Sequence, residues 1–121
     1  MSAFNRFHKT PRPAGLMALG RLPSGQMNKT EAAYAQELEL QRQLGIVAWW
    51  AFEGLKYRLA DNTFYTPDFA VMLKDGTLQA HEVKGFWEED ARAKIKIAAA
   101  LFPIQFIAIK KSKLGWEREA F

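Results

Sequence analysis

The chain has 121 residues, of which 49% are hydrophobic and 25% are charged, a composition typical of one soluble globular domain. It contains no cysteine, which excludes disulfide scaffolds, zinc fingers, iron–sulfur clusters and thiol nucleophiles. Any bound metal is therefore expected to be a hard cation held by oxygen, Mg²⁺ or Mn²⁺, and the net charge of +4 favours a polyanionic partner such as nucleic acid.

The N-terminal segment, residues 1–27, is predicted to be an irregular arm, because prolines and glycines interrupt it and no apolar period is sustained. Residues 1–30 contain no acid and carry the basic residues Arg6, Lys9, Arg12, Arg21 and Lys29. No segment has the apolar core of a signal peptide or the ~18 apolar residues of a membrane span. We therefore expect an intracellular protein without membrane association, folded over residues 28–121.

The first predicted helix begins near Asn28, where Asn28 and Glu31 fit a capping box, and it ends at Gly45. The apolar and aromatic residues 46–52 predict a buried strand. Apolar and basic side chains then alternate in residues 55–59, and this segment is counted together with residues 46–52 as the first of three predicted strands.

Two further strands, residues 64–73 and 78–86, are predicted on either side of a turn at Lys74-Asp75-Gly76. Residues 88–101 are predicted to form a second helix, and residues 104–109 a last buried strand. The order of helix, three strands, helix and strand predicts an α/β (α+β) layer structure.

Two short motifs place charge in the middle of the predicted strands: Pro67-Asp68 and Glu82-Val83-Lys84. Side chains alternate along a strand, so Glu82 and Lys84 share one face of the sheet and Val83 packs on the other. Asp68 lies on the adjacent strand. Whether it joins the other two charges depends on the turn between the strands.

Two geometries of that turn stay open. If Asp75-Gly76 is a two-residue turn, Asp68 lies opposite Val83 and points away from Glu82. If the turn has three residues with Gly76 in a left-handed conformation, or if a bulge lies at Pro67, Asp68 and Glu82 share a face. A functional site requires the second geometry.

Two carboxylates at the ~5 Å separation of opposed strand residues repel unless a cation lies between them. A bound cation would polarise a phosphodiester and acidify a water molecule, while Lys84 positions that water or stabilises the developing negative charge. An isolated Glu-x-Lys on a strand is more often a solvated face or a surface ion pair worth under ~1 kcal/mol. Here the charges interrupt strands that are expected to be half-buried, which favours a functional role.

These motifs, in this order of elements, resemble the PD-(D/E)XK nuclease superfamily, and within it small phage-encoded endonucleases related to Holliday junction resolvases. The resemblance covers residues 28–110. It implies a restriction-endonuclease-like αβββαβ core with a mixed sheet flanked by helices. It also implies a Mg²⁺-dependent endodeoxyribonuclease in which Mn²⁺ can substitute.

The resemblance implies that Asp68 and Glu82 bind the metal, that the backbone carbonyl of Val83 completes the site, and that Lys84 is the catalytic lysine. It further implies a metal-binding glutamate in the first helix. Glu31 matches that position. A first-turn acid can also be the partner in a capping box, so both roles stay open for this residue.

Glu37 is the second candidate for that helical glutamate. The second helix of such nucleases contributes basic residues to the site, and other basic side chains can contact phosphate. The predicted nucleic-acid contacts are Lys94, Arg92, Lys29 and Arg58. Solvated helix and strand faces are the alternative for each of them.

The expected function is cleavage of DNA phosphodiester bonds, on branched or structured DNA, in phage replication or recombination within the cytoplasm of a bacterial host. A four-way junction needs two symmetric cuts, so that substrate would imply a homodimer. The alternatives are a single-strand-specific or nicking nuclease, and a non-cleaving DNA-binding subunit of a recombination, transposition or packaging complex. A third alternative is an unrelated α+β protein that acts through interactions with other proteins.

Overall fold

The computed structural model describes residues 25–84 and 89–121. Within these ranges the chain forms two helices and seven strands. In chain order they are α1 (Lys29–Gln43), β1 (Val47–Phe52), β2 (Tyr57–Ala60), β3 (Thr63–Tyr65), β4 (Phe69–Leu73), β5 (Leu78–Val83), α2 (Glu89–Leu101), β6 (Gln105–Ser112) and β7 (Gly115–Ala120).

Five strands form one mixed sheet in the order β1-β4-β5-β6-β7. β5 and β6 are parallel, and the other neighbours in this sheet are antiparallel. Parallel neighbours need a long crossover connection, and α2 lies in the segment between β5 and β6. β2 and β3 pair with each other outside the main sheet and are called the small hairpin below. The predicted mixed α+β architecture is confirmed.

Each face of the sheet is covered by one helix. The face that carries α1, called the α1 face, buries a cluster of Tyr34, Ala35, Leu38, Val47, Phe52, Phe69, Val71, Val83, Ile107 and Ile109. The opposite face, called the α2 face, carries α2 and the small hairpin and buries Tyr57, Tyr65, Ala80, Ile95, Ala98 and Phe106. Where these clusters lie, both faces of the sheet are therefore covered and shielded from solvent.

The start of α1 is fixed by the predicted capping box. The side chain of Asn28 accepts a hydrogen bond from the Glu31 N–H at 2.8 Å, and the Glu31 carboxylate accepts one from the Asn28 N–H at 2.9 Å. Together these bonds satisfy two backbone donors that the first helical turn leaves free. Past the end of the helix, Gly45 has φ +81°, a left-handed conformation that favours glycine.

The prediction of one strand over residues 64–73 is wrong. β3 ends at Tyr65, and Thr66, Pro67 and Asp68 separate it from β4. Pro67 has no N–H to donate to a ladder, and it restricts the backbone of the residue before it, so the strand is interrupted here. The break allows β3 to leave the main sheet and to pair with β2.

The last predicted strand, residues 104–109, is too short, and β7 was not predicted. β6 continues to Ser112, and a turn at Lys113-Leu114 leads into β7, which pairs antiparallel with β6. Four of the six residues of β7 are exposed, so the strand lacks the apolar alternation that identifies strands from sequence.

The predicted N-terminal arm and residues 85–88 lie outside the described residues, except for Gly25, Gln26 and Met27, which precede α1. The Gly25 N–H donates to the side chain of Glu53 at 3.0 Å, and Met27 packs against the cluster of the α1 face. Neither α1 nor α2 has the length and apolar character that crossing a membrane requires, and the described ranges contain no other helix.

Candidate active site at one end of the sheet

The turn between β4 and β5 sets the register of the two acids. The Leu73 N–H donates to the Thr77 carbonyl at 2.8 Å, and Gly76 has φ +91°. Phe69 lies opposite His81, so the next residues outward, Asp68 and Glu82, face each other. The three-residue turn is therefore the correct alternative, the two-residue turn is wrong, and Asp68 and Glu82 share the α2 face. We call these two residues the acid pair.

Glu82 is buried, with 7% of its surface exposed, and three donors surround its carboxylate. Oε1 accepts hydrogen bonds from the Tyr65 hydroxyl at 2.8 Å and from the Asp68 N–H at 3.3 Å. Oε2 lies 3.2 Å from Nζ of Lys84, whose side chain is half-buried. Buried carboxylates need such partners, because an uncompensated charge in a protein interior is costly.

Asp68 is held by the backbone of the strand that carries Glu82. Its Oδ2 accepts a hydrogen bond from the Val83 N–H at 2.8 Å. Over residues 25–84 and 89–121, no donor contacts its second oxygen, Oδ1. The N–H and C=O of one strand residue point toward the same neighbouring strand, so the Val83 carbonyl also lies on the β4 side.

Burial and mutual repulsion alter the acidity of the acid pair. Desolvation, followed by the negative charge of Glu82, raises the pKa of Asp68 to about 8. Desolvation also raises the pKa of Glu82, although Lys84 and the hydrogen bonds from Tyr65 and Asp68 oppose the shift. For Lys84, burial lowers the pKa, but the charges of Glu82 and Asp68 outweigh it and raise the pKa overall. Two buried acids therefore share one lysine, and Asp68 keeps its proton to a higher pH than an ordinary aspartate does.

The remaining acid of the predicted site, Glu31, occupies its capping box, so its capping role is confirmed. Its charge nevertheless reaches the site, because it is among the causes that raise the pKa of Asp68 and of Lys84. Whether it binds metal stays a prediction. Glu37, the second candidate, accepts a hydrogen bond from the Gln41 side chain at 2.9 Å within α1.

A hard cation fits the donors of this site. In the part of the chain that the structure describes, no group of three or more His, Cys, Asp or Glu side chains is arranged to hold a metal ion. Mg²⁺ nevertheless does not need such a group, since it is commonly held by one or two carboxylates with several waters and substrate phosphates. The acid pair provides two carboxylates, and Oδ1 of Asp68 has no donor among the described residues.

Three of the four predicted nucleic-acid contacts have local partners among the described residues. The Arg92 guanidinium donates to both carboxylate oxygens of Glu119, Arg58 forms an ion pair with Asp61, and Lys94 donates to the Phe64 carbonyl at 3.3 Å. Lys29 is exposed at the first position of α1. A phosphate contact by any of them stays a prediction.

Two residues near the site were not singled out from the sequence. Tyr65 donates to Glu82, a contact that requires the small hairpin to fold back over the sheet. Lys110 follows Ile109, which lies beside Val83 in the parallel pair of β5 and β6, so Lys110 lies next to Lys84 on the α2 face. The basic run Lys110-Lys111-Ser112-Lys113 was the available signal, but the sequence did not place it beside the acids.

His81, the neighbour of Glu82, points to the α1 face and is 2% exposed. Its Nδ1 lies 2.6 Å from the Tyr34 hydroxyl and its Nε2 lies 2.9 Å from Oε1 of Gln79. Both ring nitrogens are therefore occupied, which confirms the prediction that His81 is a packing residue.

Comparisons of the chain with protein-family models, with curated proteins and with solved structures find no match.

Proposed function

We propose that this protein is a Mg²⁺-dependent endonuclease that hydrolyses DNA phosphodiester bonds, with Asp68 and Glu82 as metal ligands and Lys84 as the catalytic lysine. One observation carries the proposal: the two acids face each other in register on one side of the sheet, partly or fully buried, with Lys84 in contact with Glu82. Apolar residues of similar volume often stabilise a protein at least as well as a buried charged group, so stability alone does not account for this one.

The acids supply the cation site. Desolvation, followed by repulsion from Glu82, raises the pKa of Asp68, and a divalent cation bound between the two carboxylates would replace this repulsion by attraction. The Val83 carbonyl lies on the same side and is a third ligand in this proposal. Bound there, Mg²⁺ would act as a Lewis acid on the scissile phosphate and would lower the pKa of a coordinated water.

Lys84 supplies the positive charge beside the metal ligands. Its raised pKa keeps the ammonium group protonated at neutral pH. A protonated lysine cannot accept the proton of the attacking water, so we propose that Lys84 orients this water and stabilises the negative charge that develops on the phosphate. Its contact with Glu82 fixes where the ammonium group lies.

DNA is the proposed polyanion because exposed lysines of β6 and of the turn that follows it lie near this end of the sheet. Lys110 is exposed next to Lys84, and β6 leads directly from it to Lys113 in the turn before β7. Phosphate contacts by such lysines hold a DNA backbone without reading its sequence. From the resemblance to junction-resolving nucleases, we propose branched DNA as the preferred substrate and a homodimer as the active form.

The element order supports a restriction-endonuclease-like core as part of this proposal. α1, β1, β4, β5, α2 and β6 follow one another as the αβββαβ pattern requires, with helices on both faces of a mixed sheet. The small hairpin is inserted between β1 and β4, and β7 extends the sheet at the β6 edge. In this proposal both are additions to the core.

The test is a cleavage assay with linear duplex, single-stranded and four-way-junction DNA, each in Mg²⁺, Mn²⁺ or chelator. We expect wild-type protein to cut junction DNA in either metal and none of the substrates in chelator. Glu82→Gln and Lys84→Ala should abolish cleavage. Lys74→Ala is the matched control, because it removes one exposed lysine from the β4–β5 turn at the opposite end of the sheet.

Absence of cleavage on every substrate in both metals would reject the enzymatic proposal. In that case, DNA binding that survives chelation would identify a binding module. Cleavage of single-stranded DNA in preference to the junction would retain the chemistry and reject the branched substrate.

A further inference from the structure

Within this proposed function, we infer that Tyr65 is a positioning residue whose hydroxyl fixes the Glu82 carboxylate for metal binding. The Tyr65 hydroxyl donates a hydrogen bond to Oε1 of Glu82 at 2.8 Å, and both side chains are buried. Tyr65 reaches this position from the small hairpin, which is not part of the main sheet. The hairpin thus connects to the site through a side chain.

The orientation of Glu82 follows from how its two oxygens are occupied. Oε1 is held by Tyr65 and by the Asp68 N–H, while Oε2 contacts Lys84. With Oε1 fixed, the carboxylate cannot rotate freely about its last bond. Oε2 is the oxygen that remains on the side of Lys84, and in this inference it binds the cation while it stays beside the ammonium group.

The hairpin is itself held rigidly enough to position a hydroxyl. The rings of Tyr65 and Tyr57 lie 6.3 Å and 5.3 Å from the ring of Phe106, a fully buried residue of β6. Lys94 of α2 donates to the backbone carbonyl of Phe64, which ties β3 to the helix as well. Packing therefore fixes the tyrosine independently of its contact with Glu82.

The hairpin also contains a matched control. Tyr57 and Tyr65 face each other across β2 and β3, both are buried, and both pack on Phe106. Among the described residues, however, the Tyr57 hydroxyl has no hydrogen-bond partner. Tyr57→Phe and Tyr65→Phe thus remove the same atom from equivalent places in the hairpin, but the second one alone removes a contact with Glu82.

The experiment measures Mn²⁺ affinity by calorimetry on the protein without DNA, and the Mg²⁺ concentration for half-maximal cleavage. For Tyr65→Phe we expect both constants to weaken about ten- to a hundredfold, the range seen when a residue that orients a metal ligand is lost. DNA affinity in chelator should stay unchanged. Tyr57→Phe should match wild type in all three measurements.

The outcomes separate this inference from the proposed function. If wild-type protein neither binds Mn²⁺ nor cleaves DNA, both the proposed function and this inference are rejected. If wild type does both and Tyr65→Phe behaves like Tyr57→Phe, the positioning role alone is rejected. If both variants lose affinity equally, the hairpin acts through packing, and the role of the hydroxyl is likewise rejected.

A second measurement requires no variant. In wild-type protein with isotope-labelled tyrosine, we expect the Tyr65 hydroxyl proton to be observable by NMR, because burial and its bond to Glu82 slow exchange with water. Adding Mg²⁺ should shift this signal and leave the ring signals of Tyr57 in place. If the chemical shift of the Tyr65 hydroxyl proton does not change with Mg²⁺, under conditions where calorimetry detects metal binding, the inference is rejected.

Discussion

The two faces of β5 carry polar clusters of opposite kinds, although they originate from adjacent residues. On the α1 face, His81 has both ring nitrogens occupied by Tyr34 and Gln79, and burial lowers its pKa to about 3, so the cluster is neutral. On the α2 face, Glu82 is equally buried but belongs to a charged group in which two acids share one lysine. A neutral, fully hydrogen-bonded cluster is typical of a structural role, whereas buried acids with raised pKa values indicate a candidate site.

The largest effect in this comparison is expected from Glu82→Gln. The amide keeps the shape of the side chain but cannot bind a divalent cation as a carboxylate does. We expect the rate of DNA cleavage to fall at least about a thousandfold, equivalent to about 4 kcal/mol of activation free energy. Single-turnover assays check the rate, and thermal unfolding in chelator should show that the variant is no less stable than wild type.

A variant of Glu82 that cleaves normally would contradict the assignment of the site. A large loss of stability would indicate that the acid pair, like the His81 cluster, is mainly structural.

His81→Ala should give the reverse pattern. The substitution leaves a buried hydroxyl of Tyr34 and a buried amide of Gln79 without their shared partner and opens a cavity, so we expect a loss of about 2–4 kcal/mol in the free energy of unfolding. Cleavage per folded molecule should not change. Urea denaturation gives the first quantity, and active-site titration followed by a rate measurement gives the second.

The pH dependence of stability distinguishes the two clusters without a change in fold. The pKa of Asp68 is raised to about 8 in the folded protein, so this residue destabilises the fold progressively as the pH rises toward 8. The lowered pKa of His81, about 3, makes stability rise with pH instead. That rise is complete once the pH exceeds the ordinary histidine pKa of 6.5. The interval between these values therefore reports on the acid pair, because the pKa of Glu82 is raised as well.

Between pH 6.5 and pH 8 we expect metal-free protein to lose stability with rising pH, by at most about 1.4 kcal/mol per pH unit. Asp68→Asn should flatten this slope, and saturating Mg²⁺ should do the same in wild type. Denaturation curves at several pH values, with and without chelator, measure it. An equal slope in Asp68→Asn would show that the pH dependence does not arise from the acid pair.

The smallest expected effect concerns Lys110, which lies on the charged face beside Lys84. Lys110→Ala should weaken DNA binding a fewfold and reduce the salt dependence of the affinity by about one charge, as loss of a single phosphate contact does. Lys74→Ala, at the other end of the sheet, should change neither. Fluorescence anisotropy over a series of salt concentrations makes the comparison, and equal effects of the two substitutions would exclude a localised phosphate contact.

The features that depend on residues close in sequence could be predicted, including the two possible registers of the acid pair. The capping box at Asn28 and the choice between two turns at Gly76 both depend on residues close in sequence, and the structure decided the second in favour of a shared face. What could not be predicted depends on contacts between distant elements. Tyr65 reaches Glu82 because the chain breaks at Pro67, and Lys110 reaches Lys84 through a parallel crossover.

β7 was missed for a different reason. Its sequence is mostly exposed and polar, so it pairs with β6 through backbone hydrogen bonds and has little apolar periodicity to recognise. The interrupted strand shows the opposite error, because apolar and aromatic residues on both sides of residues 66–68 were read as one strand although they belong to two sheets. Pro67 was the signal that the two halves needed to be separated.

The short turn at Gly76 also influences the order in which the chain can assemble. β4 and β5 are joined by three residues, whereas β5 and β6 meet only after α2 has formed a crossover. Pairings with short loops close first, because their loop entropy is small. We therefore expect Asp68 and Glu82 to come together while water still surrounds them and screens their repulsion. We expect their desolvation to follow when the small hairpin docks and Tyr65 reaches Glu82.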